Sequence, residues 1–183
     1  TKALFATPEG VETLEFLSRL YWVDKVSPPF RRQMTPAESI WLGRRLEQFH
    51  PYFYEDPMLP DSPAIMGEVQ AQCNIPIATG ERFASIFEYQ QLLDARATSY
   101  IRPDVCLCSG LTGSKKVAAM AEARHIKVIP HNPLSPVSTA ACVALCMAST
   151  NVGVQEMPRK PGAVDKELYP VQVGWEDGYA FAT

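Results

Sequence analysis

Five short apolar runs in this chain each end in an ionisable residue, at intervals of roughly 25 residues, the size of one strand-plus-helix unit. Ile75-Pro76-Ile77-Ala78-Thr79-Gly80-Glu81 reads as a buried strand that delivers a carboxylate at its C-terminal end. Pro51-Tyr52-Phe53-Tyr54-Glu55 and Asn151-Val152-Gly153-Val154-Gln155-Glu156 end the same way. Tyr100-Ile101-Arg102-Pro103-Asp104 ends in an aspartate, and Lys127-Val128-Ile129-Pro130-His131 in a histidine. Strands that alternate with helices demand a parallel sheet covered by helices. Proton- or metal-handling groups at successive strand ends are the layout of an active site on a (β/α) barrel.

The intervening segments carry helix signals. Thr35-Pro36-Ala37-Glu38 is a capping box opening a helix with Ile40, Leu42, Leu46 and Phe49 on its apolar side. Ser62-Pro63 opens a second helix that runs through Cys73, and Ser85-Ile86-Phe87-Glu88 a third that reaches about Arg96. The loop Ser109–Ser114 precedes a helix with Val117, Ala118, Met120 and Ala121 inward. Ser135-Pro136 starts a helix that is almost wholly apolar to Ala148 and is therefore expected to be largely buried. Upstream, Thr7-Pro8-Glu9 starts a helix and Trp22–Val26 alternates like a strand before Pro28-Pro29 breaks it. Trp175–Tyr179 reads as a turn or hairpin. About six strands result, two short of a closed eight-stranded barrel. The expected fold is α/β, a partial (β/α) TIM-type barrel. Its three parts are an N-terminal remnant (1–34), barrel units carrying the site (35–160) and a C-terminal tail or hairpin (161–183). Either the chain is a piece of a longer one or it borrows a partner's surface, and we favour the first.

Composition narrows the partners. A net charge of −3, a pI near 5.6 and no lysine/arginine run argue against a nucleic-acid surface. No apolar run reaches the ~18 residues of a membrane helix, and the N-terminus lacks a signal pattern, so the expected location is cytoplasmic. Five cysteines do not make a disulfide framework in a chain of this length. Cys142 and Cys146 read as thiols buried along one helix, and Cys106-Leu107-Cys108 as packing or pocket lining rather than a zinc site.

Glu55 and Glu81, converging at one barrel mouth, suit an octahedral oxygen site, most naturally for Mg²⁺. The alternative is that each is a solvated loop acid. Asp104 and His131 close consecutive strands, so a carboxylate–imidazole pair that fixes the ring tautomer is geometrically available. Glu156 could orient a substrate or stabilise developing charge; otherwise it is a barrel-end acid held by an arginine. His50 and His125 end helices, where terminus or surface roles suffice.

Together the motifs Tyr-Glu-Asp-Pro, Ile-Ala-Thr-Gly-Glu-Arg, Arg-Pro-Asp-Val, Pro-His-Asn-Pro and Gln-Glu resemble the enolase superfamily. The resemblance is to its mandelate racemase subgroup and the sugar-acid dehydratases of the galactonate kind, and it runs from about Thr35 to the C-terminus. It implies Glu55 and Glu81 as second and third Mg²⁺ ligands, Asp104 and His131 as a catalytic dyad, and Glu156 as the acid of the final strand. The implied reaction is Mg²⁺-dependent removal of the proton α to the carboxylate of an aldonate, then loss of the β-hydroxyl as water. The resemblance also implies a homo-oligomer, and a capping domain that this sequence does not show.

One departure matters. The 26-residue step from Glu55 to Glu81, taken backwards, lands on Pro29 where the family has its first metal-binding aspartate, and on Arg31 where a histidine would follow. Asp24 could substitute only if the loop had grown. The lysine-bearing strand used for proton transfer in the family is also missing. A cage of two carboxylates binds Mg²⁺ weakly, so the expected activity is weak or nil. The rival readings are a diverged, non-catalytic copy that keeps the fold and oligomer contacts, and a module that binds acidic sugars without turnover.

Overall fold

The three helices between Pro63 and Glu122 each begin where the chain leaves one strand end and return it beside the next. The structure, a computed structural model, describes residues 34–159 and 163–182. The helix expected at Thr7, the strand at Trp22–Val26, and Asp24, Pro29 and Arg31 lie outside the described residues. The described residues fall almost entirely within one unit, Thr35–Thr183.

Its elements are α1 (Pro36–Leu46), β1 (Tyr54–Glu55), α2 (Pro63–Gln72), β2 (Ile77–Thr79), α3 (Ile86–Asp94), β3 (Tyr100–Ile101), α4 (Gly110–Glu122), β4 (Lys127–Val128), α5 (Pro136–Met147), β5 (Gly174–Glu176) and β6 (Tyr179–Phe181). Strands β1 to β4 lie side by side in chain order, all parallel. Tyr54 pairs with Ile77, Ala78 with Tyr100 and Ile101 with Val128. Spatial order that equals chain order, with a helix in every crossover, makes this sheet a section of (β/α) barrel wall. The ladder is short: Glu55 sits in its last β1–β2 pair, with Ala78, while Glu81, Asp104 and His131 lie just past the strands.

Local chemistry explains most of the boundaries. Thr35 and Glu38 close a reciprocal capping box on α1, as do Ser85 and Glu88 on α3. Ser62 forms no such side-chain bond, and Pro63 alone marks the start of α2. Phe49 does not continue the inward stripe of α1. A single 3₁₀ turn, Glu47–Phe49, followed by left-handed His50 ends the helix and turns the Phe49 ring outward. Helix α4 begins at Gly110, the second residue of the expected loop, because Asp104 organises the turn before it: its carbonyl accepts from the Leu107 and Cys108 amides. The expected strand 151–156 is reduced to a bridge at Val152 with Val128. The remainder of that segment is held by side chains instead. At the C-terminus β5 and β6 pair antiparallel around Asp177-Gly178, both at positive φ, the conformation a tight two-residue hairpin needs.

The core lies between sheet and helices. Ile77, Ala78, Ile101 and Val128 from the strands meet Met66 and Val69 of α2, Tyr89 and Leu92 of α3, Val117 and Ala121 of α4, and Cys142 and Leu145 of α5. Helix α5 differs from expectation. It is half-buried, and it buries Ser138 and Thr139 while Val137 and Met147 stay exposed with Ala140 and Ala144. Polar groups turn inward here because buried Asn132 requires partners: Ser138 Oγ donates to its Oδ1 at 2.9 Å, and its Nδ2 donates to Thr139 Oγ1 at 2.9 Å. Among the described residues no helix is long and apolar enough to cross a membrane.

Helices α2 and α3 approach closely at Gly67, where an added Cβ would lie 2.5 Å from the Ala95 carbonyl oxygen. Backbone cannot yield as a side chain does, so Gly67→Ala should destabilise the protein by about 1–3 kcal/mol. Urea denaturation measures this, and a midpoint equal to wild type would show that the two helices separate freely.

Candidate active site

Beyond the last ladder bond each strand turns, and the backbone there is specialised. Gly80 follows β2 at φ 124°, a region glycine enters without strain, and its carbonyl accepts from Tyr89 Oη at 2.7 Å. This turn sends Glu81 toward the sheet's C-terminal end. Asp56, at φ 38° just past β1, ties two loops together: Thr79 Oγ1 donates to its Oδ1 at 2.5 Å and Arg82 Nε lies 3.2 Å from its Oδ2.

The centre of the constellation is Arg102. Strand alternation places it on the same face as Tyr100 and Asp104. Its side chain is 2% exposed. Nη2 lies 2.8 Å from Glu55 Oε1 and 2.8 Å from Glu156 Oε2. Nε lies 3.9 Å from Glu81 Oε2, too far to hydrogen-bond, and has no hydrogen-bond partner. The guanidinium carbon sits 5.8 Å from the centre of the Phe53 ring. One buried cation thus reaches carboxylates from three strand ends.

His131 stands beside it, between two acids. Its Nδ1 is 2.9 Å from Asp104 Oδ2 and its Nε2 3.4 Å from Glu81 Oε2. Asp104 is buried, its Oδ1 accepts from the Cys106 amide at 2.7 Å, and it forms a parallel bridge with His131. An ionised Asp104 can only accept, so it holds the ring proton on Nδ1 and leaves Nε2 facing the cluster. Burial lifts the Glu81 carboxyl above the usual carboxylate range; Asp56 and Glu55 push the same way, and His131 opposes them. Glu156 is fixed twice more, by the Asn132 amide at 2.8 Å on its Oε2 and by Asn132 Nδ2 at 3.0 Å on its carbonyl.

Glu55, Glu81, Asp104, His131 and Glu156 therefore gather at one end of the sheet, linked through Arg102 and His131. Arg102, Asn132 and Asp56 went unread in the sequence. For Arg102 the signal was present: it lies two residues before Asp104 on an alternating strand. For Asn132, only its adjacency to His131 pointed inward.

The donors do not fit Mg²⁺ as they stand. That ion asks for about six oxygens near 2.0–2.1 Å in an octahedron. Among the described residues no three His, Cys, Asp or Glu side chains are grouped to hold a metal. The inward oxygen of Glu55 contacts a guanidinium, and Glu81 faces both that group and an imidazole.

The enolase C-terminal domain-like family matches residues 30–183. The chain belongs to the enolase superfamily. It is 39% identical over 125 residues to the D-galactonate dehydratase of Cronobacter sakazakii, a match covering 68% of this chain and 32% of that protein. Among solved structures, a mandelate racemase/muconate lactonizing enzyme-like protein from Roseovarius sp. TM1035 superposes with a TM-score of 0.76 at 33% identity, over 82% of this chain and 37% of that one. An enolase from Agrobacterium radiobacter, with Na and L-malate bound, gives a TM-score of 0.68 at 31% identity, over 73% and 34%. The chain spans about a third of the length of the curated relatives it matches. Its parallel units are part of an enolase-type barrel, as the motif series led us to expect.

Among the cysteines of this enolase-superfamily chain Cys106 alone is exposed. Burial pushes the Cys142 thiol up to about 12 and the Cys146 thiol up to about 11. A thiol with its pKa above the solution pH gains thiolate about tenfold per pH unit. At pH 8 an aromatic disulfide reagent should therefore label Cys106 first and leave Cys142 largely unmodified in the native protein. Peptide mapping after timed labelling checks this, and equal rates at the two positions would contradict the burial of α5.

Proposed function

We propose that this chain carries part of the proton-transfer machinery of a sugar-acid dehydratase. The observation that carries the reading is the His131–Asp104 pair, 2.9 Å apart at adjoining strand ends with the carboxylate buried. Relatives called D-galactonate dehydratase support an aldonate as the substrate class. A solved relative that binds L-malate supports a small hydroxy acid at this end of the sheet.

In this reading His131 is the acid–base group. Asp104 accepts a hydrogen bond from Nδ1–H, so Nε2 presents a lone pair to the substrate. Nε2 reversibly takes the proton from the carbon α to the carboxylate; the C–H electrons delocalise into the carboxylate as an enediolate and then form the C=C bond of an enol as the β C–O bond breaks. The departing hydroxyl takes that proton back from Nε2 and leaves as water, which restores the neutral imidazole, and the enol tautomerises to a 2-keto-3-deoxy acid by proton exchange with solvent. Glu156, pinned by Asn132 and Arg102, is placed to orient a substrate hydroxyl. Glu55 and Glu81 are the chain's candidate metal ligands, but their present arrangement does not suit a divalent ion, and no step here depends on one.

A positioned acid–base group contributes about 10²–10⁴-fold, whereas enzymes reach 10⁶-fold and beyond. The chain by itself should therefore turn over slowly. A second reading is favoured by Arg102: a cation fixed among the carboxylates is what a diverged, non-catalytic copy would retain. The partition into a remnant (1–34), barrel units (35–160) and tail (161–183), a cytoplasmic location and a homo-oligomer complete the proposal. The exposed apolar row Val137, Ala140, Ala144 and Met147 on α5 supports association with a further protein surface.

Proton exchange separates the two readings without full turnover. In D₂O, wild-type protein should wash deuterium slowly into C2 of D-galactonate, read by proton NMR, and His131→Asn should lower that rate by about 10²-fold or more. Exchange that survives His131→Asn unchanged would remove His131 from the chemistry. No exchange in the wild type would leave the non-catalytic reading.

The dyad yields a second expectation. Asp104→Asn presents an amide where the ring needs an acceptor, and the ring can then hold its proton on Nε2. The exchange rate should fall nearly as far as in His131→Asn while the fold melts cooperatively. A rate equal to wild type would show that Asp104 does not set the tautomer.

A further inference from the structure

Arg102 is the most buried charge in the described site and the one group that touches three of its acids. A guanidinium at 2% exposure survives only when its charge is answered locally, and Glu55 and Glu156 each answer it at 2.8 Å through the same nitrogen. Permanent protonation and weak hydration suit arginine to such a place better than lysine. The Phe53 ring lies 5.8 Å from the guanidinium carbon, and the backbone amide of Asn132 supplies Glu156 Oε2 with a second donor. Buried Nε has no hydrogen-bond partner, and Glu81 Oε2 lies 3.9 Å from it. The carboxylates are thus arranged around a monovalent cation supplied by the chain.

We propose that Arg102 is the built-in cation of this cluster: its guanidinium holds Glu55 and Glu156 together where a divalent ion would otherwise draw them, and so lowers the chain's affinity for divalent metal. For a metal to take the inward oxygen of Glu55, Oε1, it would have to displace the guanidinium from that oxygen. That group is enclosed, so expulsion leaves a charge unanswered in the barrel wall. The weak metal affinity inferred from Pro29 thus has a second, independent cause within the described residues. It rests on the geometry of Arg102 alone, not on the dehydratase reading.

The probe is Mn²⁺ titrated into the 183-residue chain, with free ion followed by its electron paramagnetic resonance signal. Wild type should bind Mn²⁺ weakly, and Arg102→Gln at least tenfold more tightly. The double variant Arg102→Gln/Glu55→Gln should lose that gain. Arg102→Lys keeps the charge but not the planar fork, so it covers the case in which Arg102→Gln does not melt cooperatively; its affinity should exceed that of wild type. Micromolar Mn²⁺ binding by wild type would overturn the proposal. So would a folded variant, Gln or Lys, that binds no more tightly than wild type. Because affinity is read without turnover, failure of the dehydratase reading would not alter any of these outcomes.

Discussion

A positive charge buried at the centre of three acids is the constraint on which the rest of the site depends. Arg102 reaches Glu55 at the end of β1, Glu81 beyond β2 and Glu156 beyond the bridge at Val152. Without it, like charges drawn from separate strand ends would face one another across a small space. With it, Glu156 is held in place although its segment has almost no ladder. The Asn132 network does the complementary work from behind: it satisfies Glu156, Ser138 and Thr139 together and so fixes which face α5 turns inward.

Beside that cluster the His131–Asp104 pair is a separate device. Asp104 is committed on both oxygens, to the Cys106 amide and to the imidazole, so the ring is oriented by groups that have no freedom to move. Nε2 is then the atom available for chemistry. A superfamily member needs such a group, but it also needs strong stabilisation of the charge that develops on the substrate. On the proposed reading His131 is that group, and a guanidinium lies where the stabilisation would be sought.

Much of this organisation was legible in the chain. The recurrence of apolar runs ending at 55, 81, 104 and 131 announced parallel strands with ionisable residues at their ends, because side-chain chemistry at a strand terminus is local to a few residues. Capping boxes at Thr35 and Ser85 fixed helix starts for the same reason. Where signals were weaker, boundaries moved: α4 began early because Asp104 shaped the turn, and 151–156 lost its ladder because side-chain bonds replaced backbone pairing.

Sequence by itself thus determined the order of elements, the barrel class and the residues brought to the strand ends, since these follow from patterns a few residues long. Tertiary structure alone decided what those residues do to each other. That Arg102 rather than open space lies between Glu55 and Glu156, and that Ser138 and Thr139 rather than Val137 and Met147 face the core, depends on contacts across 6 to 54 residues of chain and on the demand of buried charges and amides for partners. No local pattern encodes such a demand, because it arises only when the groups are removed from water together.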